Sequence, residues 1–219
     1  MIDEAAPEVC PRCGKPADLC VCGAFQRFEN RLEVLILQHP QEPDRELGTA
    51  ELAHRALSRS TLRVGLSWPN LKAALGRDVD AGGFGVLYLG SGARGPVPRG
   101  QPLVFLDRKG APRPAAPPPR PLEGLVVLDG TWSQAKTLWW RNAWLLKLRR
   151  VILAPPQPSL YRELRREPRR ECLSTIESIA LSLSASGEPP EVAAGLQAMF
   201  ARLLERERAR HRAGRDRGP

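Results

Sequence analysis

Apolar residues in this chain gather in short unbroken runs separated by longer stretches of helical spacing. Leu32-Glu33-Val34-Leu35-Ile36-Leu37, Phe84-Gly85-Val86-Leu87-Tyr88-Leu89, Leu103 to Leu106, Leu125-Val126-Val127-Leu128 and Val151-Ile152-Leu153 are of strand length, and Thr61 to Leu66 reads as a further strand. The run at Leu125–Leu128 shows no alternation at all, the pattern of a strand buried on both faces of a parallel sheet. Between the strands, Leu52, Ala53, Ala56 and Leu57 share one face of a helix from Thr49 to Leu57. Pro69 is placed to open a second helix to Leu75, and further helices are predicted from Trp132 to about Leu148, Thr175 to Leu183 and Val192 to Arg208. Strands alternating with helices predict an α/β fold with a mostly parallel sheet flanked by helices. From Asp107 to Pro121 the chain is crowded with proline, including Pro117-Pro118-Pro119, and reads as an extended surface connector.

The length of 219 residues suits one main domain with a small appendage. The expected division is a cysteine module over residues 1–28, a main domain over 29–210 and a basic tail over 211–219. The N-terminus lacks a basic segment followed by an apolar one, and no run approaches a membrane span, so the expectation is a cytoplasmic protein with no membrane partner. A formal charge of +9 favours polyanionic partners, because binding a phosphate backbone releases counterions. Only five of the 33 basic residues are lysine, a bias that genome composition can also produce, so charge supports a nucleic-acid reading without founding one.

Chemistry concentrates in a few places. Cys10-Pro-Arg-Cys13 and Cys20-Val-Cys22 bring four thiols within thirteen residues, enough for a closed tetrahedral structural zinc site. Unligated cysteines in a leader are the alternative. Asp129-Gly130-Thr131-Trp132 lies where the strongest strand ends and a long helix begins, the position at which parallel α/β sheets present ligand-binding groups. Asp129 can accept a proton or orient a donor, Gly130 permits a sharp turn and Thr131 can cap the helix; an ordinary Asp-Gly turn with a threonine cap fits equally well. Gly90-Ser-Gly92-Ala-Arg-Gly95 matches a dinucleotide-binding glycine pattern, but Pro96, Pro98 and Gly100 prevent the helix that would hold a pyrophosphate. A loop at the edge of a ligand site, or a plain surface loop, remains. Ser174-Thr175-Ile176-Glu177 reads as a capped helix start, and Arg162, Arg165, Arg166, Arg169 and Arg170 beside Tyr161 form a basic segment suited to phosphates.

These blocks, in this order, resemble the DTW-domain family, the tRNA-uridine aminocarboxypropyltransferases. The resemblance rests on the two cysteine pairs, Gln38-His39-Pro40 with Glu42, Val86-Leu87-Tyr88, Asp129 to Trp132 with Ser133-Gln134-Ala135, and Ser174 to Glu177. Two departures stand out: Leu89 occupies a position where proline is usual, and the asparagine often found ahead of the Gly48-Thr49 region is absent. The resemblance implies a SPOUT-like, knotted sheet. It also implies transfer of the 3-amino-3-carboxypropyl group of S-adenosylmethionine to N3 of a tRNA uridine, with release of methylthioadenosine. On that reading Asp129, Thr131, Trp132 and Glu177 are the catalytic candidates, and Leu89, Gly90, Ser91, Leu128, Gly130, Ser174 and Thr175 hold the cofactor. His39, Glu42, Tyr161, Arg162, Arg165 and Arg166 face the tRNA, Cys10, Cys13, Cys20 and Cys22 bind zinc, and a monomer is expected. A methyltransferase using the same donor and a non-catalytic zinc-containing RNA-binding protein are the rival readings.

Overall fold

The computed structural model describes residues 9–42, 47–87, 95–98, 100–113, 120–155, 159–160 and 173–215. Six strands, β1 (Glu33–Gln38), β2 (Ser60–Val64), β3 (Phe84–Leu87), β4 (Leu103–Leu106), β5 (Gly124–Asp129) and β6 (Arg149–Leu153), form one sheet in the order β2-β1-β5-β3-β6-β4. All neighbours are parallel except β4, which runs antiparallel to β6 at the edge. The helices are α1 (Ala50–Ala56), α2 (Leu71–Leu75), α3 (Trp132–Arg141), α4 (Thr175–Ala185) and α5 (Pro190–Arg215).

Every residue of β1 and β5 is buried, as an unpatterned strand in the middle of a parallel sheet requires. Successive side chains still point to opposite faces. Val34, Ile36, Leu125 and Val127 meet α1, α4 and α5 on one face, while Leu35, Leu37, Val126 and Leu128 meet α2 and α3 on the other. The three-layer α/β architecture anticipated from the apolar runs is present.

The cysteine module belongs to this core rather than standing apart from it. Cys13, Leu19 and Val21 are fully buried in the same cluster as α1 and α5. The buried Lys15 ammonium donates to the Gly48 carbonyl, just ahead of α1.

Several boundaries differ from expectation for local reasons. Asn70, not Pro69, opens α2, because its side chain accepts from the Ala73 N–H at 2.8 Å and caps the helix. The helix expected to reach Leu148 stops at Arg141. There the fully buried Asn142 amide donates to the Leu138 carbonyl at 2.7 Å and the Leu66 carbonyl at 3.0 Å, while its oxygen accepts from Trp68 N–H at 2.8 Å. Tying the helix end to residues 66–68 turns the chain into a short 3-10 segment, Ala143–Lys147, before β6. β2 ends at Val64 rather than Leu66, and α5 begins at Pro190 and runs beyond Arg208 to Arg215. The Pro117–Pro119 run lies outside the described residues, as do Tyr88 to Arg94. Among the described residues no helix is long and apolar enough to cross a membrane.

α5 approaches the rest of the core closely at Gly195, where a β-carbon would lie 1.9 Å from the Phe28 ring. Alanine there gains about 1 kcal/mol of helix propensity but overpacks the contact. Gly195→Ala is therefore expected to lower stability by roughly 1–3 kcal/mol, read as a drop in the urea midpoint, with Phe28→Leu restoring part of the loss.

Candidate active site

The carboxyl ends of β1, β5 and β3 point to one edge of the sheet, and the polar residues of the chain converge there. β1 and β5 pair to their last residues, Gln38 opposite Asp129, which sets Asp129 at the carboxyl end of a central strand. The carboxyl edge is where open parallel sheets take ligands.

Asp129 is only 6% exposed, yet both its oxygens are held. Oδ2 accepts from Gln38 Nε2 at 2.7 Å, and Oδ1 accepts from the Thr175 hydroxyl on the first turn of α4. A buried carboxylate needs such partners, because leaving it unsolvated costs several kcal/mol. Each oxygen keeps a further lone pair for a ligand donor.

Gly130 follows with φ of 145°, and a β-carbon there would meet Gln134 Cβ at 2.9 Å and His39 Cβ at 3.4 Å. Glycine is required on both counts, conformation and space. Thr131 then caps α3: its N–H donates to Gln134 Oε1 at 2.7 Å, and its hydroxyl accepts from Gln134 N–H at 3.4 Å. This places Trp132, 38% exposed, on the rim. His39 N–H donates to the Asp129 carbonyl at 3.0 Å, and its Nδ1 accepts from Gln41 N–H at 3.3 Å. With Nδ1 accepting, Nε2 is the ring nitrogen available as a donor.

α4 is positioned by more than Asp129. Thr49 sits at the N-cap of α1 without capping it, because its hydroxyl accepts from Ile176 N–H at 3.2 Å instead. Glu177 gathers four donors: the Ser174 N–H at 2.8 Å, the Ser174 hydroxyl at 2.7 Å, the Ser159 hydroxyl at 2.7 Å and the Leu160 N–H at 2.8 Å. With both oxygens so engaged, Glu177 anchors the approach of residues 159–160 to the start of α4, and Ser174 is the reciprocal cap.

Of the residues singled out in the sequence, Asp129, Gly130, Thr131, Trp132, Thr175 and His39 thus meet at one edge, with Ser174 and Glu177 behind Thr175. Leu128 is buried in the core beside α3. Glu42 is buried just beyond His39, whose carbonyl accepts from the Glu42 N–H at 2.9 Å. Leu89, Gly90, Ser91, Tyr161, Arg162, Arg165 and Arg166 lie outside the described residues, as do Arg169, Arg170 and Cys172. Gln38, Thr49 and Lys15 were not among the candidates. A polar residue ending an otherwise apolar strand was the available signal for Gln38.

The four cysteines form a second centre. Their sulfurs all lie within 4.8 Å of one another, with Cys10 to Cys22 at 3.4 Å and Cys13 to Cys20 at 3.7 Å. A tetrahedron with ~2.3 Å metal–sulfur bonds has edges of about 3.8 Å, so the cluster has the size of a four-thiolate metal site. Neither pair is at disulfide distance. The Cys13 and Arg12 backbone N–H groups and the Cys22 thiol bring the Cys10 thiol down to about 6, whereas burial raises Cys13 and pushes Cys22 up to about 12. A bound dication offsets that burial penalty by stabilising the thiolates.

A family model for the DTW domain matches residues 7–208. Curated relatives include a Drosophila melanogaster protein named tRNA-uridine aminocarboxypropyltransferase 2, 31% identical over 189 residues, which cover 84% of this chain and 68% of that protein. A Mus musculus protein of the same name is 30% identical over 83% of this chain and 57% of its own length. One from Macaca fascicularis is 27% identical over 80% and 55%. The chain thus spans little more than half the length of the two mammalian relatives. No solved structure gives a significant match.

Elemental analysis of the purified protein is expected to find close to one divalent metal ion per chain. Cys13→Ser is expected to lose it and to unfold at a lower temperature; an unchanged metal content would remove the cluster as the site.

Proposed function

Because the chain belongs to the DTW-domain family, we propose that it transfers the 3-amino-3-carboxypropyl group of S-adenosylmethionine to N3 of a uridine in tRNA. The observation that carries the reading is the Asp129 carboxylate, buried at the carboxyl edge of the central strand and aimed by Gln38 and Thr175. The names of the relatives support the same reaction class.

The donor supplies an alkyl carbon already bonded to a sulfonium, a good leaving group, so the demand on the protein falls on the acceptor. Uridine N3 is a weak nucleophile until its proton leaves. In the proposed step N3 bonds to the carbon, the carbon–sulfur bond breaks with its electrons going to sulfur to give methylthioadenosine, and the N3 proton passes to Asp129. Gln38 and Thr175 keep the carboxylate from rotating, which holds its free lone pairs toward the base. His39 Nε2–H and Trp132 on the rim are suited to a uridine carbonyl and to stacking on the base. Glu177 acts by positioning, since its own oxygens are committed to Ser159, Leu160 and Ser174.

A SPOUT-like knotted arrangement belongs to the same reading, and the mostly parallel sheet order is compatible with it. The arginine-rich segment over residues 162–170 and the basic residues of α5 would contact tRNA phosphates, and zinc held by Cys10, Cys13, Cys20 and Cys22 would be structural. A monomer is the working unit in this reading.

Mass spectrometry of nucleosides from unmodified tRNA incubated with the protein and S-adenosylmethionine tests the reading. Aminocarboxypropyl-uridine together with methylthioadenosine is the expected result. A methylated nucleoside would make the protein a methyltransferase, and tRNA binding without product would reduce it to a binding protein.

A further inference from the structure

We propose that the outer face of α3 is a stacking surface for unpaired nucleotides of the RNA substrate, an inference that rests on the transferase reading above. α3 buries Ala135 and Leu138 and packs Trp139 partly against the core. Trp132, Lys136 and Trp140 are successive i, i+4 neighbours on a face that adjoins the buried one. All three are exposed, Trp140 to 77%.

Tryptophan rarely leaves most of its ring in water, because burying it is worth several kcal/mol. The neighbouring Trp144 follows the rule: it is buried, and its Nε1–H donates to the Trp68 carbonyl at 2.9 Å. Trp140 departs from it, and the packing of α3 makes no use of its ring.

The charge around the stripe selects the occupant. Lys136 lies between the two rings, and Arg141 and Lys147 are exposed just beyond. None of the three is in an ion pair with a described residue. From Trp132 to Lys147 the sequence contains no aspartate or glutamate. Aromatic planes interleaved with unpaired cations and free of carboxylates match stacked bases on a phosphate backbone. A protein partner would meet the same rings with no acidic group on this face to pair its own cations. Position completes the match: the stripe starts at Trp132, three residues after Asp129, and leads about 12 Å along the helix to Trp140. Nucleotides flanking the target uridine can therefore be held while the uridine enters the site.

The test is tRNA binding by filter retention or anisotropy across a salt series, for the full chain and for Trp140→Ala, Trp140→Phe and Lys136→Gln. Trp140→Ala is expected to weaken tRNA binding by roughly 5- to 100-fold while leaving the affinity for S-adenosylmethionine unchanged. Trp140→Phe should keep most of the affinity, because a ring remains to stack. Lys136→Gln should reduce the slope of log affinity against log salt by about one. Wild-type-like tRNA affinity in Trp140→Ala would overturn the inference and leave the transferase reading standing. So would a change in the monomer–dimer equilibrium with RNA affinity intact, since the face would then be a protein contact. A wild-type chain that binds no tRNA would overturn both readings at once.

Discussion

The active edge depends on one buried carboxylate. Asp129 ends the central strand where water scarcely reaches, and an isolated charge there would cost several kcal/mol. Gln38 from the adjacent strand and Thr175 from α4, 46 residues further along the chain, remove that cost by each donating to one oxygen. The same bonds decide where α4 begins. Thr49 gives up capping its own helix to take the Ile176 N–H, and Glu177 draws residues 159–160 to the same point. Asp129 thus joins β1 to the start of α4, and α4 is held in turn by Thr49 and residues 159–160.

The cysteine module contributes from the opposite side of α1. Its side chains Cys13, Leu19 and Val21 are core residues, and Lys15 reaches the Gly48 carbonyl, next to the Thr49 that holds α4. Four-thiolate zinc binding is worth about 10–16 kcal/mol in small domains. That matches the entire folding free energy of a typical domain, about 5–15 kcal/mol. A metal at this cluster is therefore large enough to decide whether the Gly48-Thr49 turn, and with it the start of α4, is held in place. The path from the cluster to Asp129 runs through Lys15, Gly48, Thr49, Ile176 and Thr175, each link a contact or a peptide bond.

Much of this was legible in the sequence because strands buried on both faces cannot hide. The runs at Val34–Leu37 and Leu125–Leu128 announced the parallel sheet, and the place where the second run stops announced Asp129. What stayed hidden needed register or tertiary contact. Gln38 acquires its role only when β1 pairs with β5 to the last residue, and Thr49, read only as the start of a helix, gives its hydroxyl to α4. The overlong reading of α3 has the same origin. Apolar spacing continues past Arg141, but Asn142 ends the helix by bonding to residues 66–68, which no local pattern announces. Helical spacing gives Trp139, Trp140 and Trp144 a core or helix-packing reading, which the buried Trp144 follows and the exposed Trp140 does not, because spacing alone does not separate them.

If the Asp129 carboxylate takes the uridine proton, the single-turnover rate of Asp129→Asn must show the loss of that base. Asparagine keeps the shape and the hydrogen bonds, since its oxygen accepts from Gln38 and its amide donates to the Thr175 oxygen, but it cannot serve as a base. A rate lower by about 10²–10⁴-fold is expected, with folding and the affinities for tRNA and S-adenosylmethionine preserved. A rate within a few-fold of the wild-type value would contradict it and leave Asp129 as a structural anchor alone.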